Sequence, residues 1–181
     1  MNSTQASEAN TVGGQSAAAS ISQGGIETAQ TNLVEYISFA IGIDQYGVEI
    51  MSVREIKGWS GVTHLPKQPE YVRGVLNLRG VMVPIIDLRC RFDQGMTEAT
   101  PMHIVIIVQI GARLVGLLAD RVLDIVSIER SKIQPVPRME SAAGAEFLSG
   151  LVTVDDAMLA LIDLQHLLSE RDGVEQSRTA A

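Results

Sequence analysis

Residues 74–88 read GVLNLRGVMVPIIDL, and residues 150–164 repeat this stretch in outline as GLVTVDDAMLALIDL. Five residues of the first copy recur 76 positions later: Gly74, Met82, Ile86, Asp87 and Leu88. Most positions between them keep their apolar or polar character. Each copy joins two apolar runs across a two-residue centre, which is typical of a β-hairpin. The fixed offset indicates a chain built from two similar units. Two units are too few for a solenoid, so we expect a pair of small packed modules.

The sequence around the two hairpins predicts further short strands. Apolar residues alternate with other residues over positions 36–43, and this period of two predicts a strand, with a turn expected at 44–45. In the second half, the strand expected at 104–110 is apolar on both faces and needs cover on both, and a turn is expected at 111–112. Pro84 cannot donate a ladder hydrogen bond, so its strand is expected at an edge or a bulge. About five strands in each half predict an all-β chain of two small antiparallel barrels.

Composition also predicts where the folded part begins and ends. The first 32 residues are rich in small and polar side chains and cannot bury enough apolar surface to offset the entropy of ordering. The last residues have a similar composition, so both ends are predicted to be flexible. The expected organisation is a tail at 1–32, a domain at 33–170 and a tail at 171–181, with subdomains at roughly 33–100 and 101–170 and an exchange of terminal strands between them left open.

Charge and composition exclude several classes of function. A net charge of −7 argues against nucleic acid or anionic lipid as the main ligand, because both require a basic surface. The single cysteine, Cys90, has no histidine or second cysteine near it in sequence, so we interpret it as a structural thiol in a reducing compartment. No apolar run approaches the roughly 20 residues of a membrane span. We therefore expect a soluble cytoplasmic protein that neither binds nucleic acid nor inserts into a membrane.

No group of residues has the spacing of a metal or cofactor site. His64, His103 and His166 are scattered, without acidic or thiol ligands at metal-binding distances in sequence. Residues 111–116 have the glycine spacing of a phosphate-binding loop but are not followed by lysine and serine or threonine. The sequence predicts no cofactor and no metal.

Asp87 and Asp163 occupy equivalent positions of the repeat and allow two interpretations. A pair of carboxylates is compatible with general acid and base catalysis, or each carboxylate accepts hydrogen bonds at the start of a short helix. We favour the helix caps, since a repeated fold explains a repeated aspartate and a single active site does not. With no positioned base, nucleophile or metal set, the sequence predicts that the chain is not an enzyme.

Arg79 and Glu55 also have two interpretations. Arg79 is expected at a hairpin tip, where it is either a solvated turn residue or an anchor for a partner's carboxylate, and the residues alone favour the first. Glu55 is either part of the polar face of a strand or, together with Val53, part of a mixed apolar and acidic contact surface.

Three motifs are similar to those of one protein family. YGVEI at 46–50, VREI at 53–56 and above all YVRGVLNLRGVMVPIIDLR at 71–89 resemble the bacterial chemotaxis coupling proteins, the CheW family. The resemblance covers residues from about 33 to 168 and implies two five-stranded SH3-like barrels packed side by side. It also implies a non-enzymatic adaptor that joins the cytoplasmic hairpin tips of chemoreceptors to the regulatory domain of the histidine kinase CheA. The alternative is the same type of module in a chemosensory pathway that does not control motility.

The resemblance further implies where partners bind. The receptor hairpin is expected in the groove between the barrels, and the kinase domain is expected to pair barrel to barrel, with other coupling proteins as further neighbours. By motif, the implied receptor-binding residues are Val53, Glu55, Gly74, Arg79, Ile104 and Val105. The resemblance reverses the preference for Arg79 and makes it an anchor. No kinase-binding residue is assigned.

Overall fold

The computed structural model describes residues 32–137 and 144–169, which form ten strands and two short α-helices. The strands are β1 (Leu33–Ile41), β2 (Asp44–Glu49), β3 (Val53–Gly58), β4 (Val72–Leu78), β5 (Val81–Asp87), β6 (Ile104–Ile110), β7 (Arg113–Ala119), β8 (Arg121–Glu129), β9 (Leu148–Val154) and β10 (Ala157–Ile162). The α-helices are α1 (Leu88–Arg91) and α2 (Leu164–Leu167), and single 3-10 turns span Ile50–Ser52, Arg130–Lys132 and Ala145–Phe147. Except for Asn32, the two segments predicted to be flexible tails lie outside the described residues.

The strands form two sheets of five with the same topology. Sheet A has the spatial order β8-β1-β2-β10-β9, and sheet B has the order β3-β6-β7-β5-β4. Each strand of sheet A corresponds to the strand of sheet B that lies five places away in the chain: β8 to β3, β1 to β6, β2 to β7, β10 to β5 and β9 to β4. The sequence repeat is therefore also a repeat of topology. Each sheet takes strands from both sides of residue 100, because β1 pairs with β8 and β3 pairs with β6. The predicted all-β fold of two five-stranded units is confirmed.

Both predicted hairpins are confirmed, and both have the same kind of turn. β4 and β5 pair across Arg79 and Gly80, whose φ angles are 51° and 90°. β9 and β10 pair across Asp155 and Asp156, whose φ angles are 46° and 63°. Two central residues with positive φ define a type I′ turn, whose twist matches that of the flanking strands.

The predicted turn at 44–45 is wrong by two residues. The chain turns at Gly42 and Ile43, and Asp44 is already the first residue of β2. Gly42 has a φ of 60°, which glycine adopts without steric cost. The predicted turn at 111–112 is confirmed, and there too the glycine has a positive φ.

The sequence predicts that Pro84 lies on a strand at an edge or a bulge. The edge is wrong, because β5 lies between β4 and β7, whereas the β4–β5 ladder does contain a register shift, between Val72 and Gly74. Pro84 is opposite Val75 of β4, whereas the parallel ladder with β7 covers only residues 85–87. In the β4–β5 ladder, hydrogen-bonded pairs of residues alternate with pairs that are not hydrogen-bonded, starting from the pair that closes the hairpin. By this alternation the nitrogen of Pro84 points away from β4 and toward β7. The β7 ladder does not reach residue 84, so no hydrogen bond is lost and the interior strand accepts a proline.

Apolar side chains fill three clusters. The largest contains residues from both sheets, including Phe39 of β1 and Ile106 of β6. A second cluster lies within sheet B and includes Val105 and Ile107, and a third lies within sheet A. Successive residues of β6 therefore pack into different clusters, which confirms that this strand is covered on both faces.

Asp87 and Asp163 both cap short helices, as predicted. Asp87 is fully buried, and its carboxylate accepts hydrogen bonds from the Cys90 N–H at 3.3 Å and from the Thr97 hydroxyl at 2.7 Å. Asp163 accepts from the N–H groups of Gln165 and His166 at 2.9 and 3.0 Å. Burial alone would raise the pKa of Asp163, but these hydrogen bonds and the His166 ring hold it below its ordinary value.

Candidate functional site

The curvature of sheet B brings β3, at one edge of the sheet, close to the tip of the β4–β5 hairpin at the other edge. Arg79, at the β4–β5 tip, donates a hydrogen bond of 2.6 Å from Nη2 to Oε2 of Glu55 on β3. β3 and β4 are opposite edges of the sheet, and in a flat sheet they would be about 19 Å apart, four times the strand spacing of about 4.8 Å. An arginine side chain cannot span that distance, so the sheet must curl. Two residues that the motif selected separately thus form one ion pair.

The backbone at the tip holds Arg79 in an unfavourable conformation. A positive φ costs an ordinary side chain about 1 kcal/mol, and arginine has no short polar group to offset it. Asn77 stabilises the turn by accepting the Gly80 N–H at 2.8 Å through its side-chain oxygen. The Arg79 side chain remains 79% exposed, against 27% for Glu55. A strained, exposed arginine that keeps most of its donors in solvent is a good candidate for a binding residue.

Apolar residues lie close in sequence to both members of this ion pair. Val53 begins β3 and is half-buried opposite Val108 of β6. Val81 and Met82 follow the turn and are 50% and 62% exposed. We call Val53, Glu55, Arg79, Val81 and Met82 the tip site. Val81 and Met82 are not among the binding residues that the resemblance implies, although the hairpin pattern places both directly after the turn.

Gly74 and Val105 are buried, and Ile104 is half-buried. Gly74 has a φ of 139°, and a Cβ added to it would collide with the carbonyl of Thr63, which pairs with Val75. Val105 is 2% exposed and belongs to the cluster within sheet B. Ile104 lies at the start of β6, opposite Gly58 of β3. Of the six implied binding residues, only Glu55 and Arg79 are joined by a side-chain hydrogen bond.

The described residues offer no alternative centre for metal or thiol chemistry. No group of three or more histidine, cysteine or acidic side chains in this part of the chain is arranged to hold a metal ion. Burial, followed by the charge of Asp87, raises the pKa of the Cys90 thiol, which disfavours the reactive thiolate. Among the helices of the described segments, none has the length and apolar character to cross a membrane.

Comparison with known proteins places this geometry in a family. The model of the CheW-like domain matches residues 35–172, which is more than half of the chain. The chain belongs to the CheW-like domain family. The probable chemotaxis protein CheW of Rhizobium etli is 42% identical over 138 residues, covering 76% of this chain and 89% of that protein. The chemotaxis protein CheW of Klebsiella aerogenes is 38% identical, covering 76% and 83%.

A solved structure supports the same assignment. The crystal structure of scaffolding protein TtCheW from Thermoanaerobacter tengcongensis is similar to this CheW-like domain with a TM-score of 0.68 and 31% sequence identity, covering 74% of this chain and 86% of that one. The matched family region begins near the start of β1 and includes every strand of both sheets but the first two residues of β1. The tip site therefore lies inside the CheW-like domain.

Proposed function

We propose that this chain is a non-enzymatic adaptor that couples the cytoplasmic tips of chemoreceptors to the histidine kinase CheA in chemotaxis signal transduction. The observation that carries the proposal is the tip site within a CheW-like domain, where an exposed arginine is held beside apolar side chains by Glu55. In this role the protein works in the cytoplasm and is recruited to membrane-associated receptor arrays.

The chemistry of the tip site fits a helical hairpin that carries acidic and apolar side chains on one face. Arg79 uses one nitrogen for Glu55, and a guanidinium has five N–H donors, so others remain for a partner's carboxylate. Val53, Val81 and Met82 supply apolar contact on either side. Glu55 fixes the direction of the arginine before binding, which reduces the entropy lost on association. The receptor would then lie along β3 and the β4–β5 tip.

The kinase is proposed to bind a different surface. A regulatory domain of the same fold can pair with one of the outer strands of sheet A, β8 or β9, which lie outside the tip site. These two strands are enough for a kinase and for a second coupling protein. We assign no residue to these contacts.

The adaptor is proposed to have no catalytic step of its own. Both repeated aspartates are engaged as helix caps by N–H groups, and Asp87 is fully buried, so neither is free to transfer a proton to a substrate.

Reversing the charge at position 79 tests the receptor contact. Arg79→Glu should lower co-sedimentation with a receptor signalling fragment at least about tenfold, because a charge-assisted hydrogen bond becomes a repulsion. The matched control is Arg113→Glu at the exposed start of β7, on the β6–β7 hairpin. Both variants should keep the circular dichroism spectrum of the wild type. Equal co-sedimentation of the two variants would rule out the anchor role of Arg79.

A second experiment tests the coupling itself. The full chain, a kinase regulatory domain and a receptor hairpin fragment are mixed and separated by size exclusion. A ternary complex is expected, with Arg79→Glu retaining the kinase and losing the receptor. Failure of the wild type to bind either protein would overturn the adaptor role.

A further inference from the structure

The repeat creates two equivalent junctions, each between a turn and a short helix. At the first, the β1–β2 turn faces α1, and Arg89 of α1 donates from Nη2 to Oδ2 of Asp120 at 2.7 Å. The Gly42 N–H of the turn donates to the same oxygen at 2.7 Å. The guanidinium of Arg89 therefore fills this first junction and lies against Gly42.

At the second junction, the β6–β7 turn faces α2, and the corresponding side chains differ. By the offsets of the repeat, Gly111 corresponds to Gly42, Gln165 to Arg89 and Met51 to Asp120. No arginine is available to fill the space, and a groove of about 320 Å³ lies there, with Gly111 and Gln165 among its lining residues. At about 30 Å³ per water molecule, it has room for roughly ten waters or for one arginine side chain.

The groove contains a polar pair where sheet B has core residues. Tyr36 and Glu49 are directly opposite each other on β1 and β2, and both line the groove. The equivalent pair of sheet B is Val105 and Leu118, which are 2% and 0% exposed. The fold is thus built equally well with two apolar residues at these positions. Tyr36 belongs to the apolar cluster within sheet A, so packing explains its ring, whereas its hydroxyl and the Glu49 carboxylate are polar groups that this packing does not require.

The Tyr36 hydroxyl is available to a ligand. Tyr36 is 7% exposed, and its hydroxyl makes no hydrogen bond with any of the described residues. Burial, followed by the charge of Glu49, raises its pKa, so the phenol stays neutral near pH 7 and keeps its oxygen as an acceptor. Because the hydroxyl oxygen keeps some contact with solvent, a donor that enters the groove can reach it.

The charged groups that line the groove are the carboxylates of Glu49 and Asp163, although the Ser52 hydroxyl and the Gln165 amide can also donate there. The Gln109 amide donates to the Gly111 carbonyl at 2.8 Å, and the Ser149 hydroxyl donates to the Leu161 carbonyl at 3.3 Å, so these two donors are used internally. Among the described residues, the Glu49 carboxylate pairs with Arg130 at 3.9 Å, and the Arg130 side chain is 60% exposed, so this is a loose surface pair. Carboxylate, hydroxyl and carbonyl oxygens around one space match a group that only donates. A guanidinium is such a group, with five N–H donors and no acceptor.

We infer that this groove binds an arginine side chain presented by a protein partner, which takes the place that Arg89 occupies at the first junction. The partner is a protein segment because the groove is open and begins at Ser52, the residue before Val53 of the tip site. A segment lying along β3 reaches both surfaces. The inference concerns a second site, and it stands whether or not the tip site binds a chemoreceptor.

The direct test titrates the full chain with N-acetyl-arginine amide and follows backbone amide signals by NMR. The signals of Glu49, Gly111 and Gln165 should shift in a saturable way. N-acetyl-citrulline amide, which has nearly the same shape without the charge, should shift them at least about tenfold less at equal concentration. Equal shifts with both probes, or shifts spread over the whole surface, would overturn the assignment.

Four variants sharpen this test. Gln165→Arg supplies the chain's own guanidinium and should abolish binding of the probe, while Glu49→Gln and Tyr36→Phe should each weaken it about tenfold. The matched control is Glu35→Gln, which removes the same charge from the neighbouring residue on the opposite face of β1 and should leave binding unchanged. If Glu35→Gln and Glu49→Gln weakened probe binding equally, the loss would come from the net charge of the protein, and the groove would not be the binding site. A Gln165→Arg protein that is folded by circular dichroism and still binds would lead to the same conclusion. Receptor co-sedimentation of Arg79→Glu, measured in parallel, tests the tip site, whereas titration with the arginine probe tests the groove with no receptor present.

Discussion

The β4–β5 and β9–β10 tips have the same turn geometry and opposite charge. Arg79 and Asp155 both take the first central position with positive φ. Aspartate tolerates this conformation better than arginine, because its short polar side chain can hydrogen-bond locally. The turn is thus made in sheet A by a suitable residue and in sheet B by an unsuitable one. The comparison teaches that the fold needs the turn, whereas the arginine must be explained by something outside the fold.

The strands beneath the two tips differ in the same way. Glu55 of β3 binds Arg79, but its equivalent on β8 is Asp124, whose carboxylate accepts the N–H of the next residue, Ile125, at 2.7 Å. Sheet A therefore has acidic side chains at both positions, and no ion pair joins its tip to its first strand among the described residues. The four predictions below compare equivalent positions to separate what the fold requires from what a partner requires.

The largest difference is expected between the two capping aspartates. Asp87→Ala should lower the free energy of unfolding by about 3–5 kcal/mol, since it leaves the buried donors of Thr97 without an acceptor and removes the carboxylate paired with Arg73. Asp163→Ala should cost about 1 kcal/mol, as for an ordinary exposed cap. Chemical denaturation of both variants measures the difference. Equal losses would mean that the two caps support the fold equally.

The next comparison is between the two glycines that begin the repeat. Gly74→Ala should cost about 3 kcal/mol, because the new Cβ meets the Thr63 backbone at a φ of 139°. Gly150→Ala should cost less, about 1–2 kcal/mol, because Gly150 has no positive φ and the nearest backbone atom, the Gln134 oxygen, is 3.1 Å from the new Cβ, although the Ile133 side chain must shift. Thermal and chemical unfolding of the two variants should rank them in this order. The reverse ranking would remove the structural explanation of Gly74.

The sequence predicts those parts of the fold that depend on local patterns. The hairpins follow from apolar runs around a two-residue centre, and the helix caps follow from the position of Asp87 and Asp163 after a strand. The sequence places the turn at 44–45 instead of at Gly42 because Asp44, like glycine, is a typical turn residue. Pro84 was misplaced because the side of a strand that lacks a partner is decided by the register of β7.

Partners that are distant in sequence are not encoded in any local pattern. The exchange of strands between sheets depends on which strands pair, and alternation of residues gives the faces of a strand but not its neighbour. The ion pair of the tip site joins residues 24 positions apart, and the motif selected both without pairing them. The sequence analysis does not predict the polar groove. Aligning the two repeats would have indicated it, because Tyr36 and Glu49 stand where the other repeat has Val105 and Leu118.

A smaller effect is expected at the junctions, and it depends on pH. Burial alone would raise the pKa of Asp120, but the Gly42 N–H, Arg89 and His103 hold it below its ordinary value. The ionised form therefore stabilises the fold above the unfolded-state pKa of about 3.9, and this stabilisation is lost as pH falls through the lower folded-state pKa.

Unfolding of Asp120→Asn measures this contribution. The variant should be about 1–2 kcal/mol less stable than the wild type at pH 7. The difference should shrink on acidification below a pH of about 4, because the unfolded state takes up a proton there while the folded carboxylate stays ionised until the pH reaches its lower folded-state pKa. Met51→Ala, at the equivalent exposed position, should change stability by less than about 0.5 kcal/mol at any pH. A loss that does not depend on pH would show that packing, and not charge, holds this junction.

The smallest effect on stability is expected at the tip, together with a large effect on binding. Arg79→Asn removes a surface ion pair worth about 0.2–1 kcal/mol and relieves a backbone cost of similar size, so the free energy of unfolding should change by less than about 0.5 kcal/mol. Receptor co-sedimentation should still fall severalfold, because asparagine cannot reach a partner's carboxylate with a charged fork. Asp155→Asn is the equivalent control and should leave both measurements unchanged. If Arg79→Asn instead lowered the free energy of unfolding by more than about 2 kcal/mol, the ion pair would be what keeps sheet B curled. The two tips would then differ because the fold requires it, and not because a partner does.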